Sequence, residues 1–130
     1  CISQILLVEK ARKLMKRGKI AVISSVAGDR GRKKVGLYGA AKAALDSYLS
    51  AVRQDEKSLQ IVTIKPGFVK TKMTAKLEGG FLPATAEHVG ADIASFLKGD
   101  SLILYTPWFW RWIMLIIKNI PERIFMRMKF

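Results

Sequence analysis

The apolar positions of this 130-residue chain follow two rhythms. A short apolar run at residues 20–25 suits a buried parallel strand, and residues 60–65 and 101–105 read as two further strands. Helical spacing fills the intervals. Residues 2–17 read as a helix, with Ile2, Ile5, Leu6, Ala11, Leu14 and Met15 giving a broad apolar face. Lys16 and Arg17 sit in its last turn and Gly18 follows as a stop. Residues 26–37 form a basic, glycine-containing loop, and residues 38–54 a long helix that should end near Glu56 with a tight turn through Lys57-Ser58. Pro66-Gly67 breaks the second strand. Residues 85–98 read as a helix after Pro83, with Val89, Ile93, Phe96 and Leu97 facing inward. This alternation predicts an α/β architecture with three parallel strands and right-handed crossovers.

Three side chains on these elements can meet one carbonyl oxygen. Tyr38 and Lys42 stand one helical turn apart and project from the same face. Ser25 ends the first strand and looks across the same cleft. A phenol is a poor acid–base group at its free pKa of roughly 10, and a neighbouring ammonium favours its ionised form. A serine hydroxyl can donate to an oxygen on which negative charge develops. The set suits hydride transfer between a nicotinamide and a carbonyl or alcohol carbon, with the protein moving the proton. A tyrosine–lysine pair at this spacing also arises by chance in helices, so the spacing alone does not decide the chemistry.

Three segments in order carry a resemblance: AVISSVAG at 21–28, YGAAKAAL at 38–45 and IKPGFVKTKM at 64–73. From about Ile5 to Tyr105 the chain resembles the second half of a classical short-chain dehydrogenase/reductase. The resemblance implies that Ser25 orients the substrate oxygen, Tyr38 transfers the proton, and Lys42 serves the cofactor ribose and the tyrosine. The implied cofactor is NAD or NADP; the residues that would choose between them lie upstream in that family. No G-x-x-x-G-x-G or G-x-G-x-x-G pattern occurs, and the family's asparagine on the helix before the serine strand is absent. The expectation is the C-terminal half of a Rossmann-like doubly wound sheet over residues 1–106, not catalytic by itself, with a separate tail over 107–130. The competing expectation is a non-catalytic scaffold piece of the same fold.

Pro66, Gly67, Phe68 and Val69 follow a strand, at the end where doubly wound sheets bind ligands. Proline fixes the exit, and glycine lets the backbone approach a flat ring. The resemblance implies that the Val69 backbone meets the nicotinamide carboxamide and that Thr71 supplies a hydroxyl to the carboxamide or pyrophosphate. Residues 72–82 fall where the family has a mobile substrate lid, with Gly79-Gly80 as a hinge.

The tail changes the picture of the partners. Residues 102–117, LILYTPWFWRWIMLII, are too short and too broken by Pro107 and Arg111 to be read as a spanning helix. Residues 107–126 are expected to form a helix or broken helix at a membrane surface. Trp108, Trp110 and Trp112 suit the headgroup boundary, and Arg123, Arg127 and Lys129 suit anionic lipid. A core or homo-oligomer interface is the competing use of the same apolar face. The tail resembles that of a bacterial subgroup related to reductases of lipid-linked keto-pentoses, which implies an amphiphilic substrate and a cytoplasmic enzyme at the inner membrane face.

Charge and metal-ligating residues add little. The chain has 23 Lys and Arg against 10 Asp and Glu, a formal charge of +13. The bases are spread over several segments without an aromatic platform, which argues against nucleic acid. The densest run, RGRKK at 30–34, lies at the cleft rim, either to attract an anionic head group or as a solvated loop. A single cysteine excludes an intrachain disulfide and fits a reducing compartment. The lone His88 sits beside Glu87 with no ligand cluster, so no metal site is expected.

Overall fold

Leu45, Leu49 and Val52 recur along one helical face, and that stripe draws a long helix onto a parallel sheet. The fold is seen in a computed structural model that describes residues 1–69 and 84–128. Strands β1 (Gly18–Ile23), β2 (Leu59–Pro66) and β3 (Ile103–Thr106) run parallel in the order β1-β2-β3. Gly18 pairs with Leu59 and Ile23 with Ile64; Thr63 pairs with Ile103 and Pro66 with Thr106. β2 lies in the middle, and Ile61, Val62, Thr63 and Ile64 are buried on both of its faces, as its unbroken apolar run requires.

Helix α1 (Ile2–Leu14) precedes β1, α2 (Gly36–Asp55) joins β1 to β2, and α3 (Ala86–Phe96) lies between β2 and β3. The main core holds Val8, Val22, Leu45, Leu49, Val52, Leu59 and Ile61. Arg12 fastens α1 to the far end of α2, reaching Glu9 at 2.8 Å, Asp55 at 3.0 Å and Glu56 at 3.3 Å, while Tyr48 donates to Glu9. The turn after α2 runs as expected: Glu56 caps the helix and accepts from the Ser58 amide at 3.0 Å and hydroxyl at 2.7 Å.

Two sequence expectations for α1 are corrected. The helix stops at Leu14, and Met15 is already extended at φ −92 and ψ 132. Gly18, at φ +122, opens β1 instead of closing the helix. The inward face is also narrower than the apolar composition suggested. Ile2, Leu6, Leu7 and Leu14 are exposed, Val8 is buried, and Cys1 and Ile5 pack beside the core. Cys1, Ile5 and Val8 form one stripe at helical spacing, and Arg12 continues it by turning to carboxylates.

The loop leaving β1 lies tight against α2. A Cβ at Gly39 would stand 2.8 Å from the Ala27 carbonyl oxygen, and one at Gly28 would stand 2.9 Å from the Lys42 carbonyl carbon. Backbone meets backbone at both points, so neither neighbour can yield cheaply. Gly39→Ala is expected to destabilise the protein by about 1–3 kcal/mol through overpacking. Gly90, exposed within α3 with no atom within 4 Å of its would-be Cβ, is the control. Gly90→Ala should be neutral or stabilising by up to about 1 kcal/mol. Urea denaturation of the two variants checks the contrast.

Candidate active site

All three parallel strands end on one side, where Ser25 follows β1, Lys42 reaches the last residue of β1 and Pro66 closes β2. The buried stripe of α2 continues past the sheet: Tyr38 and Lys42 precede Leu45 and Leu49 at the same helical spacing. The helix begins at Gly36, two residues earlier than expected, so Tyr38 lies in its first turn. Tyr38 therefore stands at the positive end of the helix. Lys42 Nζ lies 5.8 Å from the Tyr38 ring centre and donates to the Ile23 carbonyl at 3.0 Å. Gln4 Nε2 donates to the same carbonyl at 3.1 Å, a contact with no signal in the sequence. Tyr38 is half-exposed.

Ser25 is buried and caps a single 3-10 turn over Val26–Gly28. Its Oγ accepts from the Ala27 amide at 3.1 Å, which leaves the hydroxyl hydrogen for another acceptor. Pro66 ends β2, and the Gly67 amide donates to the Thr106 carbonyl at 3.0 Å. Val69 forms a parallel bridge with Ala84, and the Ala84 amide donates to the Phe68 carbonyl at 2.9 Å. Thr71 and the expected lid at 72–82 lie outside the described residues.

The flat ring against Gly67 is one that the sequence reading assigned elsewhere. A Cβ at Gly67 would stand 1.9 Å from Trp110 Nε1, so the indole fills the space of the missing side chain. The tail forms α4 (Trp110–Asn119) and α5 (Glu122–Phe125), broken at Pro121. Trp110, Met114, Ile117 and Phe125 make a second small core with Val26, flanked by Phe68 and Tyr105. Trp110 is thus 5% exposed and withdrawn from any membrane face, correcting the grouping of the three tail tryptophans. Trp108 and Trp112 remain exposed. Arg30 clasps the tail: it bonds Glu122 at 2.6 Å and the Lys118 carbonyl at 3.1 Å, and lies 4.5 Å from the Phe125 ring centre. The basic run at 30–34 is therefore not a uniform free patch. Arg30 is committed inward, and partial burial pushes the Arg32 pKa down.

Sequence reasoning missed a polar knot behind these residues. Lys65 Nζ meets Asp29 Oδ1 at 2.5 Å and Asp46 Oδ2 at 2.8 Å. Tyr105 donates to Asp29 Oδ2 at 2.8 Å. The available signal was a lysine inside a buried strand, which needs partners nearby. Among the described residues no group of three His, Cys, Asp or Glu could hold a metal, and no helix is long and apolar enough to cross a membrane.

The comparisons agree with this fold. The family model described as short chain dehydrogenase matches residues 2–80. The chain therefore belongs to the short-chain dehydrogenase family. It is 32% identical over 114 residues to an uncharacterized oxidoreductase of Mycobacterium tuberculosis, covering 86% of this chain and 46% of that protein. It is 42% identical over 96 residues to an acetoacetyl-CoA reductase of Allochromatium vinosum, covering 64% and 39%. A short chain dehydrogenase from Burkholderia cenocepacia, solved in complex with NADP, matches the fold with a TM-score of 0.78 at 15% identity. That match covers 97% of this chain and 54% of the other. The chain spans about half the length of these relatives.

The knot predicts an alkaline limit to stability. Burial and the bond to Asp29 push the Tyr105 phenol up to about 12. Burial alone would lower Lys65, but Asp29 and Asp46 more than offset it and raise its pKa above the ordinary lysine value. Both groups hold their proton more tightly folded than unfolded. Their stabilisation is thus complete below the unfolded pKa values, about 10 for both, and is lost as pH rises through the folded ones. Denaturation followed between pH ~9 and ~12 should show stability falling in this window, and Tyr105→Phe should flatten the fall.

Proposed function

We propose that this chain carries the proton-transfer part of an oxidoreductase that moves a hydride between NAD or NADP and a carbonyl or alcohol carbon. The observation that supports it is the Lys42 ammonium, fixed by the Ile23 carbonyl beside the Tyr38 phenol at the positive end of α2. In the reducing direction Ser25 donates its hydroxyl hydrogen to the substrate oxygen, and Tyr38 passes its proton to that oxygen as the carbon is reduced. Solvent reprotonates the phenolate. In the oxidising direction the phenolate takes the alcohol proton. Lys42 balances the phenolate charge and would hold the cofactor ribose. The nicotinamide supplies or accepts the hydride when bound. Tyr38, Lys42, Pro66, Gly67, Val69 and Thr71 are the residues for holding it. The grouping of hydroxyl, phenol and ammonium at the carboxyl ends of parallel strands fits such a group. Because Trp110 fills one side of Gly67, the opposite face of that backbone is the one left for a ring.

The relatives support a reductase reading, since one is an acetoacetyl-CoA reductase and another an NADPH-dependent 3-dehydrocapnine reductase of Ornithobacterium rhinotracheale, 31% identical over 84 residues. In the intact protein, Tyr38→Phe should lower turnover by about 10²–10⁴-fold while cofactor affinity changes little. Unchanged turnover would overturn the assignment.

The finer reading concerns the substrate. We infer a peripheral site on the cytoplasmic face of the inner membrane and an amphiphilic, lipid-linked substrate of the keto-pentose type. The support is the outward face of the tail, where Trp108, Trp112, Leu115 and Ile116 are exposed beside Arg111 and Lys118. At roughly 25 cal/mol per Å², moving four such side chains into lipid is worth several kcal/mol. Anionic lipid adds about 1 kcal/mol for each nearby base, which a neutral protein interface does not. Liposome flotation of the intact protein should show binding that depends on anionic lipid and weakens with salt. The double variant Trp108→Ala/Trp112→Ala should lose most of it. A homo-oligomer that ignores vesicles and buries this face between copies would refute the membrane reading.

A further inference from the structure

We propose that Lys65 is a positioning residue for the hydride-transfer site, tying the loop that bears Ser25 to the helix that bears Tyr38 and Lys42. The inference rests on the oxidoreductase reading above and adds to it a residue outside the cleft.

The knot joins three elements, each close to a group that touches substrate or cofactor in that reading. Asp29 follows Ser25 by four residues on the same loop. Asp46 follows Lys42 by one helical turn on α2. Lys65 immediately precedes Pro66-Gly67 at the end of β2. One ammonium therefore sets the separation of loop, helix and strand end. Its side chain is only 8% exposed, against 3% for Asp29 and 16% for Asp46. An ammonium offers three donors, and two carboxylates lie within its reach. Each carboxylate has a further group beside it. Tyr105 donates to Asp29, and its ring centre lies 5.7 Å from the ammonium. Arg53 lies near enough to Asp46 for the carboxylate to act on its charge. The closeness is enforced by Gly28, where a Cβ would stand 2.9 Å from Asp46 Oδ2. A buried ion pair is a poor source of net stability but a stringent fixer of geometry, because breaking it strands a charge.

Position, not binding, is what such a tie controls. A shift of the Ser25 loop relative to α2 misaligns donor and proton source without removing a contact to the cofactor. The test compares Lys65→Met, Lys65→Arg and Asp46→Asn in the intact protein. Lys65→Met should lower kcat by about ten- to a hundredfold, as misplacement of about 1 Å does. KM and cofactor affinity should stay within about threefold, a split that loss of folded protein does not produce. Lys65→Arg should restore most of kcat, because a cavity of about 280 Å³ bounded by Asp29, Asp46, Ser47 and Thr63 has room for the larger head group. Asp46→Asn keeps the Lys65–Asp29 pair and strands no charge, so it decides the matter if Lys65→Met does not fold; its kcat should fall by about three- to tenfold with KM unchanged. Hydrogen exchange on the same variants needs no turnover. Faster exchange confined to residues 24–30 and the first turn of α2 supports the tie. Unaltered exchange there, or a folded variant with unchanged kcat, overturns it. A wild-type protein without hydride transfer counts against the catalytic reading alone, since the exchange result still judges the tie.

Discussion

The approach of the loop at 24–29 to the first turns of α2 governs the geometry of the site. Two glycines permit it, and no other side chain would fit at either point. Gly39 admits the Ala27 carbonyl, and Gly28 admits the backbone at Lys42. That contact lays the turn capped by Ser25 against the first turns of the helix that bears Tyr38. The helix can come so close because its lower turns are drawn down by Leu45, Leu49 and Val52 onto the sheet. Core burial thus supplies the force, and the glycines set the distance at which it is resisted.

Around this contact the polar groups divide by exposure. The groups of the cleft include a half-exposed phenol and an ammonium held by one carbonyl. The groups behind it are buried and paired by charge: Lys65 has two carboxylates, and Asp29 has both an ammonium and a phenol. Such a division is physically economical. A buried charge without partners would cost more than the fold could spare, whereas a group that must exchange a proton has to remain within reach of water.

Much of this was legible in the residues. The three apolar runs announced three parallel strands, and the one-turn spacing of Tyr38 and Lys42 announced that they share a helix face. What stayed hidden was of two kinds. Helix ends depend on which residues find a core, and α1 ended early because its leucines point outward while Arg12 serves three carboxylates. Long-range pairs were the other kind. Arg30 and Glu122 are 92 residues apart, and Asp29 and Tyr105 are 76 apart, so no local pattern links them. The tail tryptophans show the same limit. Alternation of Trp108, Trp110 and Trp112 looked like a shared role, but one turn of helix sends the middle indole inward while its neighbours stay in solvent.

That inward indole has a consequence for how the chain can vary. Residues 67 and 110 occupy one volume: the space that a side chain at the first would take is the space the second already fills. The two positions therefore trade size against each other. A larger residue at 67 is tolerable only beside a smaller one at 110, and an indole at 110 leaves glycine as the sole tenant at 67. The turn after β2 and the tail helix, remote in the chain, are in this respect a single module that must be altered as a pair.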